Sequence, residues 1–173
     1  MFITETDGAA FTATATGAGP ITLTNTTGTL VVTGPTATGS GAVTLSSGDA
    51  ITLGANVGGA GSSLITINTN TNGAGADSFS MNPGGAITTT NATANAVRVN
   101  VNAAAGARAG RPCRTSRRAR VGRSRWPRTP GANATGGSIT QAAGTLLNAG
   151  AGTVSLATPA TGASGIGRAG RTS

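Results

Sequence analysis

The side chains that could support catalysis are few and unevenly distributed. Glu5, Asp7, Asp49 and Asp77 are the only acids, the 12 basic residues are all Arg, and the sequence has no His, Lys or Tyr. A His-based triad, a zincin-type zinc site and a Schiff-base lysine are therefore excluded. Asp49 and Asp77 lie 28 residues apart, which does not match the repeat described below, so we do not expect a catalytic pair. The sequence predicts no enzyme, and it assigns no catalytic, cofactor-binding or metal-binding residue.

Three further motifs carry no predicted chemistry. The single cysteine, Cys113, has no internal partner for a disulfide or a thiolate metal cluster. Residues 165–170 match the G-x-G-x-x-G pattern, but no strand–helix–strand unit surrounds them, so we interpret them as a Gly-rich turn. Asn25, Asn91 and Asn133 each begin an N-x-Thr sequon, which a chain so rich in Asn and Thr produces by chance.

Positive charge is concentrated in one segment. Residues 1–97 carry a net charge of −4 and residues 98–173 a net charge of +12, which together give the total of +8. Nine Arg and the only Trp, Trp126, fall between Arg108 and Arg128. Three interpretations stay open: a patch that binds nucleic acid or another polyanion, a solvated basic loop, or a stretch translated out of frame. We expect residues 104–130 to be irregular, because they offer few apolar residues for an inward face, and we do not expect a nucleic-acid partner.

A repeat of 22 residues organises the first half of the chain. Four ungapped segments begin at Ile21, Val43, Ile65 and Ile87, and each alternates apolar with polar residues, the pattern of a half-buried strand. We predict that these four residues stack in one inward column. The outward positions would then hold Thr22, Thr44, Thr66 and Thr88, beside Thr24, Ser46, Asn68 and Thr90.

Second strands follow about ten residues later, separated by Gly-rich and Asn-rich corners. They are residues 30–32, 51–53 and 97–101, with 79–81 as a looser member in the third repeat. The pattern predicts an all-β parallel β-solenoid with rungs of about 22 residues, rather than a flexible linker or an antiparallel sandwich. We place solenoid rungs at 1–103, the Arg-rich irregular segment at 104–130, and resumed rungs with a frayed end at 131–173.

Several segments resemble the degenerate repeats of filamentous haemagglutinin-like and autotransporter passenger proteins, a group of large bacterial adhesins. They are residues 41–45, 48–53, 136–140 and 152–156 (GAVTL, GDAITL, GGSIT and GTVSL). The resemblance implies a right-handed parallel β-helix in a long exported exoprotein, secreted or at the bacterial cell surface. Because these repeats are scaffold, it assigns no functional residue.

The expected function is therefore that of a structural repeat segment in an adhesin, a monomeric rod-like scaffold for attachment. Its partners would be neighbouring rungs of a longer chain and host or surface glycans, with no cofactor and no transmembrane helix. The first residues lack a signal-peptide pattern, and we expect an excerpt of a longer reading frame. Two alternatives stay open: a Thr-array module that binds ice or a carbohydrate surface, and polyanion binding through the Arg-rich segment.

Overall fold

The structure, a computed structural model, describes residues 1–15, 17–101, 137–158 and 164–168. Within these ranges the chain forms 15 strands and no helix, and every strand pair is parallel. The strands are β1 (Phe2–Glu5), β2 (Ala9–Ala15), β3 (Ile21–Asn25), β4 (Leu30–Thr38), β5 (Val43–Ser47), β6 (Ile51–Leu53), β7 (Asn56–Gly58), β8 (Ile65–Thr69), β9 (Phe79–Met81), β10 (Ala86–Thr88), β11 (Val97–Val101), β12 (Gly137–Gln141), β13 (Leu146–Asn148), β14 (Val154–Ala157) and β15 (Ser164–Arg168).

The first sheet has six strands in the order β1-β3-β5-β8-β11-β14. β3, β5, β8 and β11 begin with alternating apolar and polar residues, and the structure buries their apolar set on one face. In β3, β5 and β8 the first, third and fifth residues are buried and the second and fourth are half-buried. One inward column runs through Ile21, Val43, Ile65, Val97 and Val154, each directly opposite the next.

The second sheet has nine strands; β2 pairs with β4, and at β4 the sheet divides into two arms. The first part of β4 pairs with β6, which continues through β9, β12 and β15 (the β6 arm). Thr36, later in β4, pairs with Val57 of β7, which continues through β10 and β13 (the β7 arm). From β5 to β15 the chain visits the six-stranded sheet, the β6 arm and the β7 arm in that order and then returns.

One hydrophobic core lies between these surfaces. It contains mainly Ile, Leu and Val, with Phe79 as its largest fully buried side chain. Because the strands are parallel and in register, each inward side chain packs against its counterparts on both neighbouring strands. A sequence with little aliphatic content thereby buries its apolar side chains in shared columns, and this burial drives folding.

The predicted inward column is confirmed for its first three members and is wrong for the fourth. Val97, not Ile87, lies opposite Ile65, so the step between these partners is 97 − 65 = 32 residues rather than 22. Ile87 is fully buried in the β7 arm, between Val57 and Leu147. The main reason is the long connection between β8 and β9, residues 70–78, which delays the return of the chain to the first sheet.

The predicted second strands are likewise confirmed in part and wrong in part. Residues 30–32, 51–53 and 79–81 pair in succession, as predicted, including the looser third member. Residues 97–101 are a strand but belong to the six-stranded sheet, so their predicted position among the second strands is wrong. The predicted Arg-rich irregular segment, residues 104–130, lies outside the described residues. Nowhere in the described ranges does a helix occur that is long and apolar enough to cross a membrane.

Candidate binding face and acidic corner

The outward face of the six-stranded sheet carries a column of threonines. Thr22, Thr44 and Thr66 lie directly opposite one another on β3, β5 and β8. We call these three residues the threonine column. Their hydroxyls have no hydrogen-bond partner among the residues that the structure describes, and adjacent members are separated by the strand spacing of about 4.8 Å. The face therefore offers a short row of hydroxyls that can exchange hydrogen bonds with water or a ligand.

The threonine column is shorter than the sequence predicts. Arg98 of β11 lies opposite Thr66, and Ser155 of β14 follows it, so a charged side chain interrupts the hydroxyl row. Thr88, the predicted fourth member, lies instead on β10 and donates a hydrogen bond to Asn56 Oδ1 at 3.3 Å. The prediction failed there for the same reason as for Ile87, which precedes Thr88 in the chain.

A second outward column is linked by its own hydrogen bonds. Asn100 Nδ2 donates to Asn68 Oδ1 at 2.9 Å, and Asn68 Nδ2 donates to Ser46 Oγ at 3.4 Å. Thr90, predicted for this column, lies after β10 and donates to the carbonyl of Ala60 at 3.2 Å. Because these amides already satisfy one another, this column stabilises the sheet more than it serves as a free binding surface.

The best connected carboxylate lies at the turn between the six-stranded sheet and the β6 arm. Asp49 accepts a hydrogen bond from the backbone N–H of Gly28 on Oδ2 and one from Asn72 Nδ2 on Oδ1, at 2.9 Å for the latter. Asp77 lies in the same region, and we call Asp49, Asn72 and Asp77 the acidic corner. Gly28 follows β3, Asp49 follows β5 and Asn72 follows β8, so Asp49 links the connections after three neighbouring strands of the six-stranded sheet.

The surroundings of Asp77, the second acid of this corner, disfavour its charged form. Burial, followed by the negative charge of Asp49, raises the pKa of Asp77 above its ordinary value of 3.8, and a backbone hydrogen bond opposes the shift only partly. A carboxyl whose pKa is raised on folding binds its proton more tightly in the folded chain. Folding stability therefore falls as the pH rises from 3.8 through the raised pKa, and the full loss is present above it.

We expect Asp77→Asn to stabilise the protein at pH 7 and to leave stability at pH 3 nearly unchanged. The amide cannot ionise, so the variant lacks the repulsion from Asp49 and the cost of burying a charge. Urea unfolding at a series of pH values measures the difference. Asp7→Asn is the control, because it also removes one negative charge but from an exposed side chain. Equal effects of the two variants at pH 7 would contradict the prediction.

Sequence reasoning missed the link between Asp49 and its partners. Gly28 and Asn72 are 21 and 23 residues from Asp49, which is one repeat minus or plus one residue. Polar residues at this separation were the signal that could have revealed the acidic corner. Within the described ranges, His, Cys, Asp and Glu form no group of three or more that could hold a metal ion.

Comparison of the chain with protein-family models, with curated proteins and with solved structures finds no significant match in any of the three.

Proposed function

We propose that the chain is a structural repeat segment of a large bacterial adhesin or exoprotein, secreted or held at the cell surface. In this proposal the two sheets form a right-handed parallel β-helix that serves as a rod-like scaffold and has no catalytic role. Parallel strands joined by a crossover are right-handed in about 98% of cases, which supports that hand. Neighbouring turns of a longer chain and surface glycans would be its partners.

The observation that carries the proposal is the continuity of the inward columns. Ile21, Val43, Ile65 and Val97 are fully buried on four neighbouring strands, with the same side chain class at the same register position. Such a core grows by adding turns and has no intrinsic length limit, which is the property that a spacer needs. The outward column of Ser46, Asn68 and Asn100, which is linked by hydrogen bonds, supports the same stacking of strands.

The outward face favours a scaffold over a Thr-array binding module. An ice or carbohydrate surface requires a regular, flat array, but Arg98 ends the threonine column after three strands. The neighbouring column holds Ser46, Asn68 and Asn100, which bind one another rather than an external ligand. The outward face therefore supports a scaffold of stacked strands better than a module that binds ice or a carbohydrate surface.

Antibodies raised against the purified chain test this function on the bacterium that produces it. We expect them to label intact cells or culture medium, and we expect their Fab fragments to reduce attachment of the cells to a surface. Protease treatment of intact cells should remove the label, while a cytosolic protein stays protected as a control. Labelling that requires permeabilised cells would contradict the proposal.

A further inference from the structure

The connection between β8 and β9 contains the only Asn-Gly dipeptide of the sequence, Asn72-Gly73. Asn72 is exposed, and Gly73 has a φ of +71°, a conformation that favours glycine. Turns of this kind select Asn for its side-chain hydrogen bonds and Gly for its positive φ. The requirements of this turn therefore place side by side two residues that can react with each other.

The reaction is attack by a backbone nitrogen on a side-chain amide. The nitrogen of Gly73 forms a bond to Cγ of Asn72, the bond between Cγ and Nδ2 breaks, and Nδ2 leaves as ammonia with the proton that the Gly73 nitrogen gives up. Water then opens the resulting succinimide ring at either of its carbonyl carbons, which leaves residue 72 as aspartate or isoaspartate. Because glycine has no Cβ to hinder the approach, the first step is faster before glycine than before larger residues.

We propose that Asn72 is a site of spontaneous deamidation in the folded protein, and that Asp49 sets its rate. Water is the only other reactant, so the reaction needs no enzyme and no cofactor. The N–H of Gly73 donates to the carbonyl of Asn70 at 3.3 Å, just beyond the usual range, so the attacking nitrogen is weakly held. Exposed turns of this kind open locally while the sheets stay folded.

Asp49 restrains the amide that has to react. Asn72 Nδ2 donates to Asp49 Oδ1 at 2.9 Å, and Asn72 Oδ1 accepts the N–H of Ala74 at 2.8 Å. These partners fix the orientation of the amide, because an ionised carboxylate only accepts hydrogen bonds and a backbone N–H only donates them. Both bonds restrain Cγ, which has to move onto the nitrogen of Gly73. Asp49 is therefore a positioning residue that slows the reaction.

The product changes the acidic corner. A carboxylate at residue 72 has no proton to donate, so the hydrogen bond to Asp49 becomes a contact between two negative charges, with Asp77 as a third acid nearby. Asp49 keeps its bond from the N–H of Gly28 but loses its link to the connection after β8. Isoaspartate also lengthens the main chain within the turn. Deamidation therefore weakens this corner as the protein ages.

Asn91 supplies an internal control in the same chain. Its side chain is held in a similar way: Nδ2 donates to the carbonyl of Ser62 at 2.8 Å, and Oδ1 accepts the N–H and the hydroxyl of Thr93 at 2.9 and 2.5 Å. The residue that follows Asn91 is Ala92, which is exposed and has no positive φ. Ala92→Gly therefore creates a second Asn-Gly dipeptide without disturbing a buried contact.

Peptide mapping by mass spectrometry of the folded protein, incubated at pH 8, measures the loss of both amides. An isoaspartate-specific methyltransferase detects the second product. We expect Asn72 to react at least about tenfold faster than Asn91, because intramolecular attack depends steeply on how closely the two groups approach. Ala92→Gly should raise the rate at Asn91 by a similar factor and leave the rate at Asn72 unchanged.

Substitutions of Asp49 test its role as a positioning residue. Asp49→Ala removes the acceptor and should raise the rate at Asn72 severalfold, whereas Asp49→Asn keeps an oxygen that can accept from Nδ2 and should preserve the slower rate. Neither should change the rate at Asn91, which a general loss of structure would also raise. Asn72→Asp, which mimics one product, should lower the urea midpoint, and less so in the Asp49→Asn background, which lacks the pair of like charges.

Two results would overturn the proposal. An Asn72 that reacts no faster than Asn91 in the folded protein would show that this turn is not a modification site. A rate at Asn72 that stays the same in Asp49→Ala would remove the role of Asp49. The reaction requires no partner and no particular location of the protein, so neither result bears on the proposed scaffold function, which the surface labelling experiment tests separately.

Discussion

Ile65→Asp is expected to unfold most of the described structure. Ile65 is fully buried between Val43 and Val97 on the neighbouring strands, so the carboxylate would lie between two apolar layers without a counter-charge. Burying an unpaired charge costs about 4 kcal/mol or more, a large part of the 5–15 kcal/mol that stabilises a typical domain. Loss of the urea unfolding transition and rapid digestion by protease would report the effect.

The adjacent residue supplies a matched control. Thr66→Asp introduces the same side chain on the outward face, where Arg98 lies directly opposite and can pair with it. We expect this variant to stay within about 0.5 kcal/mol of the unsubstituted protein. Ile65→Val should cost about 0.5–1.5 kcal/mol, because it removes one buried methylene and keeps the column apolar. If Ile65→Asp and Thr66→Asp behaved alike, residue 65 would not be part of the core.

The alternation of residue types predicts strands well but does not predict which sheet receives them. Ile87-Thr88 and Val97-Arg98-Val99 both alternate apolar and polar residues, and both are strands with buried apolar positions. The first joins the β7 arm and the second joins the six-stranded sheet. A period of two fixes which side chains face inward, but it contains no information about the neighbouring strand.

The length of the connections decides the sheet, and the connection between β8 and β9 departs furthest from the repeat. Residues 70–78, between β8 and β9, contain three residues with positive φ: Asn70, Gly73 and Gly75. The resulting turn is closed by hydrogen bonds from Asn70 Nδ2 to the carbonyl of Gly75 and from the Gly73 N–H to the carbonyl of Asn70. Gly and Asn mark a turn in the sequence, but its extra length becomes visible only through its pairing partners.

The candidate site was also predictable only in part: the threonine column follows from the repeat, but the residues that the longer turn brings in do not. Thr22, Thr44 and Thr66 follow from the ungapped repeat, and the structure confirms that they are aligned. Arg98 and Asn100 enter the outward columns only because the longer turn delays the return of the chain. The approach of Asp77 to Asp49 has the same origin, since Asp77 belongs to the long connection and its distance along the chain does not follow the repeat.

Gly58→Ala is expected to cost about 2–4 kcal/mol, from strain in the backbone and from steric overlap. Gly58 ends β7 with a φ of +88°, a conformation that side chains with a Cβ rarely adopt. A Cβ at this position would lie 2.0 Å from the carbonyl oxygen of Thr88 and 2.7 Å from Cδ1 of Ile65. The carbonyl cannot retreat freely, because it also accepts the N–H of Gly59 at 2.8 Å.

Gly59→Ala is the control that separates a local requirement from the general effect of replacing glycine. A Cβ on Gly59 would meet no heavy atom within 4 Å, and this residue has no positive φ. We expect the variant to be neutral or stabilising by about 0.4–1 kcal/mol, since alanine restricts the unfolded chain. Urea midpoints measured by circular dichroism compare the two variants under one condition. Equal midpoints would mean that β7 does not pack against β10 as closely as described, and that the β7 arm does not close the core at Ile65.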